Sequence, residues 1–177
     1  MLGDLVNCLR EYSLKGLSHG DIQPHNVFVI EDCEVSKKIK ILDSCMLNEA
    51  ESGYNRMRND GEYTAALSPQ AMFCLSHRDS QPNYDKTKND IWAAGITMLG
   101  ILFNEDLDRY YDLRQCKIKR DVIKMRLNTL LNVVSFSKPF VQTLSSMLEE
   151  TESVRPVLHE LFNQFERAKN SVNFQPI

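Results

Sequence analysis

Residues 91–103 form the longest uncharged apolar run in the chain, with Asp90 before it and Glu105 just beyond. A helix made from such a run has no polar side to turn toward water. It has to lie in the middle of a core, covered on every face. It is also shorter than the roughly 20 residues that a membrane-spanning helix needs. The rest of the chain must therefore supply the cover. With 177 residues, 42% hydrophobic and 25% charged, it holds enough material for one domain or one lobe of a larger fold. Seven Gly and six Pro are too few for a collagen-like or disordered composition. Lys+Arg 21 against Asp+Glu 24 leaves a net charge of −3, which argues against nucleic acid or anionic lipid as the main partner.

Apolar residues at Leu2, Leu5, Val6, Leu9, Tyr12 and Leu14 predict a helix over residues 2–17. Residues 27–30 and 39–42 read as short strands joined by a polar loop at 31–38, which makes a hairpin. From 43 to 82 no period persists, so a long irregular loop with short helical pieces is expected. Loops of that length are usually functional or disordered. Helices are predicted at about 107–131, 138–149 and 156–169, the last with Pro156 in its first turn. The expected fold class is mainly α with a small β-hairpin, built around one buried central helix.

Five cysteines, Cys8, Cys33, Cys45, Cys74 and Cys116, form no CxxC pair. An odd count without pairing spacing fits free thiols in a cytosol-like or other reducing compartment better than a disulfide framework or a zinc site. Met1-Leu2-Gly3-Asp4 opens without a basic stretch before an apolar run, so no signal peptide is expected. His25, His77 and His159 are scattered and suggest no zinc constellation.

Chemistry concentrates in residues 19–26, His-Gly-Asp-Ile-Gln-Pro-His-Asn, followed after the hairpin by Asp43. Asp21, Asn26 and Asp43 could converge at one end of the strand pair. Two carboxylates and an amide oxygen are hard ligands suited to Mg²⁺. A carboxylate left off the metal could accept a hydroxyl proton. The same residues also suit a polar surface turn, since Asp and Asn are common turn formers.

Segment 19–26 resembles the catalytic loop H-R-D-x-K-P-x-N of eukaryotic protein kinases. Further similarities follow in order. Asp43-Ser44-Cys45 stands where D-F-G stands, and Ser68-Pro69-Gln70 where A-P-E stands. Asp90-Ile91-Trp92 looks like the start of the family's buried central helix. Arg155-Pro156 matches the Arg-Pro pair near the domain's end. The resemblance implies a single kinase-like C-terminal lobe over residues 1–177. Its parts would be a catalytic-loop-like segment at 19–26, an activation-like segment at 43–70 and a helical body at 90–169. It assigns Asp21 as the base and Asn26 and Asp43 as magnesium ligands. His19 would be a core histidine of the loop, and Asp90 would hold the loop's buried N–H groups from beneath. Arg155 would be the partner of residue 70.

The departures bear on function. Gly20 replaces the arginine that reads a phosphorylated activation loop. Gln23 replaces the lysine that neutralises the transferred phosphate, and an amide brings no positive charge. Ser44 and Cys45 replace Phe and Gly after Asp43. Gln70 turns the ion pair with Arg155 into a neutral contact, and Ala66 stands where a substrate-binding tyrosine is usual. No G-x-G-x-x-G and no V-A-I-K occurs in these residues, and the catalytic-like loop is reached by residue 19. With the small lobe absent, half an ATP pocket remains, so poor nucleotide binding and negligible transfer are expected.

The resulting expectation is an inactive kinase-like lobe, a pseudokinase, serving a protein partner or a larger complex, with no cofactor. Its alternative is the C-lobe of an active Mg-ATP-dependent Ser/Thr protein kinase whose small lobe lies upstream. A small-molecule phosphotransferase of the aminoglycoside or choline kinase type is a lesser alternative, which Trp92 and Arg155-Pro156 disfavour. Lys117, Lys119, Arg120, Lys124 and Arg126 form a basic run. It reads either as a docking patch for an acidic partner or, as charge runs usually do, as a solvated helix face.

Overall fold

The computed structural model describes residues 2–32, 36–42, 52–133 and 136–171; Asp43, Ser44 and Cys45 lie outside them. The described chain is mostly helical, with two small antiparallel sheets of two strands each. Its centre is α4 (Lys86–Phe103), whose residues from Asn89 to Gly100 are all buried. Asp85 starts the helix, its carboxylate accepting from the Lys88 N–H at 2.9 Å. Asn104 ends it in the left-handed conformation, φ 51°, which Asn tolerates better than most residues.

The cover predicted from the apolar run comes from several directions. Helix α1 (Leu2–Leu14) buries Leu2, Leu5, Val6 and Leu9 and packs on α4, on strand β2 (Ser36–Ile41) and on α7 (Leu158–Ser171). It stops three residues earlier than its periodicity predicts, because Gly16 turns the chain at φ +70° and leaves Leu14 exposed. Helix α6 (Lys138–Met147) closes another side of α4. The two approach so closely at Gly95 that a Cβ there would lie 2.8 Å from Leu148 Cδ2.

Strands β1 (Val27–Asp32) and β2 (Ser36–Ile41) pair antiparallel, from Val27 opposite Ile41 to Asp32 opposite Ser36. They run farther into the polar stretch 31–38 than the alternating apolar residues indicate, with Glu31 in register with Lys37. The aperiodic region carries two short helices, α2 (Gly53–Asn59) and α3 (Pro69–Ser76). Each is started by a serine, Ser52 accepting from the Asn55 N–H and Ser68 from that of Ala71.

Two helix predictions need correction. Residues 107–131 are not one helix. A 3₁₀ turn at Leu107–Arg109 leads into a hairpin of β3 (Tyr111–Asp112) and β4 (Lys117–Ile118), and only then does α5 (Arg120–Asn132) begin. Tyr110 closes the 3₁₀ turn and Tyr111 begins β3, and both are fully buried. The Tyr111 hydroxyl accepts from Trp92 Nε1 and donates to the Leu67 carbonyl, each at 3.0 Å. The last helix starts at Leu158, so Pro156 precedes it. The Glu160 carboxylate accepts from the Val157 N–H and caps that end.

Candidate functional site

The segment 19–26 hangs from the central helix. Asp90, in the second turn of α4, accepts from the His19 N–H at 2.6 Å and from the Gly20 N–H at 2.8 Å. One helical face farther on, Thr97 Oγ1 donates to the Ile22 carbonyl at 3.1 Å. Gly20 takes φ +80°, which brings two successive N–H groups onto one carboxylate. Burial pushes the Asp90 carboxyl up to about 7, against the opposing pull of those two N–H donors. His19 is fully buried. Its Nδ1 accepts from the Asp21 N–H at 3.3 Å and its Nε2 lies 2.9 Å from the Leu42 carbonyl, so the neutral ring carries its proton on Nε2.

Asp21 is 3% exposed, and both of its carboxylate oxygens are engaged. Oδ1 accepts from Gln23 Nε2 at 2.5 Å. Oδ2 accepts from the Tyr63 hydroxyl at 2.7 Å and from Arg56 at 3.3 Å. The same Gln23 Nε2 donates to the Tyr63 hydroxyl oxygen at 2.6 Å, and the Arg56 guanidinium stacks on the Tyr63 ring at 3.8 Å. Burial, and then the bond to Asp21, hold the Tyr63 phenol far above its ordinary value, so it remains a donor. Gly53 seals the arrangement: its N–H donates to the Gly20 carbonyl, and a Cβ there would fall 2.7 Å from Asp21 Oδ1. Residues 53–65 thus fold over Asp21 as a cover.

Of the two proposed magnesium ligands, Asn26 is among the described residues. Asn26 Oδ1 accepts from the Gln23 N–H at 2.9 Å, and its Nδ2 donates to the Asp21 carbonyl, closing a 3₁₀ turn at Pro24–Asn26. Asp43 is outside the described residues. Among the described residues, the Asp21 carboxylate and the Asn26 amide oxygen each accept from protein donors.

Arg155 is buried to 1% exposure and joins three segments. Its guanidinium donates to the carbonyls of Glu149 and Lys88 and to Gln70 Oε1 at 3.2 Å, and it lies 5.2 Å from the Trp92 ring. Burial lowers the pKa of the guanidinium to about 10. The other end of Gln70 donates to the Glu150 carbonyl at 2.7 Å.

The structure therefore brings His19, Asp21, Gln23, Asn26 and Asp90 into one cluster, and Trp92, Gln70 and Arg155 into a second beneath it. Sequence reasoning did not connect Arg56, Gly53 or Tyr63 with Asp21. These residues come from the aperiodic stretch, where no spacing ties them to residue 21. No protein-family model matches the chain, and no curated protein matches it in sequence. Among the described residues, no helix is long and apolar enough to cross a membrane.

Proposed function

We propose that this chain is a protein-kinase-like large lobe whose phosphotransfer position is closed from within, and that it works by holding another protein. The carrying observation is the state of Asp21. A base has to present a lone pair to a substrate hydroxyl. Here both oxygens accept from Gln23, Tyr63 and Arg56, and the group is buried beneath Gly53 and its neighbours. Gln23 supplies no cation at the position where charge on a transferred phosphoryl group needs one. The ordered likenesses at 19–26, 68–70, 90–92 and 155–156 support the family reading. Two structural contacts support it as well: Asp90 under the loop, and Arg155 against Gln70. Phe28, Val29 and Ile30 of β1 are each exposed, with Phe28 and Ile30 on one face of the hairpin and Val29 on the other, so both faces offer apolar side chains to another protein.

The test is thermal unfolding with and without millimolar Mg-ATP. A ligand that binds only the native state must raise the melting point. The expected result is no rise. A rise, together with phosphate transfer that an Asp21→Asn variant abolishes, would replace this reading with that of an active kinase lobe. The shared turn of Asp21, Gln23 and Asn26 is what favours that alternative.

A further inference from the structure

We infer that the cleft between α3 and the β3–β4 hairpin docks an acidic segment of a partner protein through a bulky apolar side chain. The cleft measures about 470 Å³; Met72 and Phe73 of α3 face Cys116 and Ile118 of the hairpin across it. Phe73 is the informative wall. Its helix buries Ala71, Met72, Cys74 and Leu75, yet Phe73 itself is 66% exposed, with the His77 ring against it at 4.4 Å. An aromatic ring held at the mouth of an apolar cleft gains most from a partner's side chain that removes it from water.

The charges on the rim decide the occupant. The basic run at 117–126, which reads as a docking patch or as a solvated helix face, is divided between the hairpin and α5. Arg126 pairs with Glu105, and Lys119 Nζ donates to the Asp108 carbonyl, so neither serves the cleft. Lys117 and Arg120 line it. Arg120 holds Glu150, the one acid of the lining, at 3.0 Å. Among the described residues, the one hydrogen bond of Lys117 Nζ goes to a neutral group, Gln115 Oε1, at 3.2 Å. The lining is thus net positive on a chain whose overall charge is −3. A segment with Asp or Glu beside Leu or Phe complements it: the apolar side chain packs on Phe73, Met72 and Ile118, and a carboxylate reaches Lys117. A basic segment meets repulsion from the same rim. The anchor supplies most of the affinity and the rim charge the selectivity.

This inference gives a surface and a partner chemistry to the protein-holding role proposed above, and it rests on that role. The probe is a labelled peptide with Leu and Phe set among glutamates, titrated by fluorescence anisotropy against the whole chain. The control is the same peptide with every Glu replaced by Lys. Phe73→Ser and Lys117→Glu both change exposed side chains, and circular dichroism checks that each variant stays folded. The acidic peptide should bind and the basic one should not. Each variant should weaken binding about ten-fold, and added salt should weaken it further. No binding, binding by either variant as tight as that of the unaltered chain, or equal binding of the basic peptide overturns the inference. So does a dimer seen by sedimentation and lost in Phe73→Ser, which would assign the cleft to a second copy of the chain. The Mg-ATP experiment reads Asp21 and not this cleft. Nucleotide binding alongside Phe73-dependent peptide binding would sink the silent-lobe reading alone. A negative result with both ligands would sink the cleft alone.

Discussion

Asp21 receives its hydrogen bonds from three side chains of unequal worth. The Tyr63 hydroxyl is a partly buried donor, and removing it leaves a buried carboxylate short of a partner. Tyr63→Phe should therefore cost about 1–3 kcal/mol. Arg56 is the formal counter-charge, but its side chain is 42% exposed, so water and salt screen it. Arg56→Ala should cost less than about 1 kcal/mol, a loss that shrinks as salt is added. Urea denaturation of both variants at low and high salt separates the two effects. Asp90 supplies a test by pH. Its native pKa is raised from 3.8 to about 7. Across that window the native state keeps a proton that the unfolded chain has released, so the stability Asp90 contributes is present at low pH and lost as pH rises through about 7. Asp90→Asn loses one acceptor and should be less stable throughout, but this decline should vanish from its melting curves. Asp21, Gln23, Asn26 and Asp90 were legible in the sequence because a short motif and a helix start fix their spacing. Arg56 and Tyr63 were not, since they reach Asp21 across 35 and 42 residues of chain.

At the scale of elements, α4 was legible because a run apolar on every side can satisfy itself only as a buried helix. The hairpin at residues 111–118 was not. Leu107, Tyr110 and Leu113 can be read at near-helical spacing, and it is the pairing of Tyr111 with Ile118 and of Asp112 with Lys117 that makes the chain extended there. The contact of α4 with the end of α6 gives an element-scale prediction. A Cβ at Gly95 would meet Leu148 Cδ2 at 2.8 Å and Cγ at 3.0 Å. Gly95→Ala should cost about 1–3 kcal/mol by overpacking. Shortening the obstacle should relieve part of that cost. The double variant Gly95→Ala with Leu148→Ala should therefore lose less stability than the two single losses added together, as a double-mutant cycle in denaturant would show.

Across the whole molecule, Arg155 binds the start of α4, residue 70 of α3 and the loop after α6 into one body. The sequence foretold that Gln70 would face Arg155 as a neutral acceptor. It could not show that the amide's other end donates to the Glu150 carbonyl. Glutamate at this position gains an ion pair with Arg155 but sets a carboxylate oxygen against a carbonyl oxygen. Gln70→Glu should therefore change stability by no more than about 1 kcal/mol in either direction. Arg155→Ala, which strands buried carbonyls of two segments, should cost about 3 kcal/mol or more. Thermal melts of the two variants side by side provide the comparison.

The suspension of residues 19–22 from Asp90 and Thr97 has a kinetic consequence. Amide protons in loops usually trade with solvent deuterium within the time of local fluctuations. Those of His19 and Gly20 donate to a carboxylate carried by the most deeply enclosed helix. They should be released only when that helix itself is, and should rank among the slowest-labelling amides of the chain although they belong to no helix or strand.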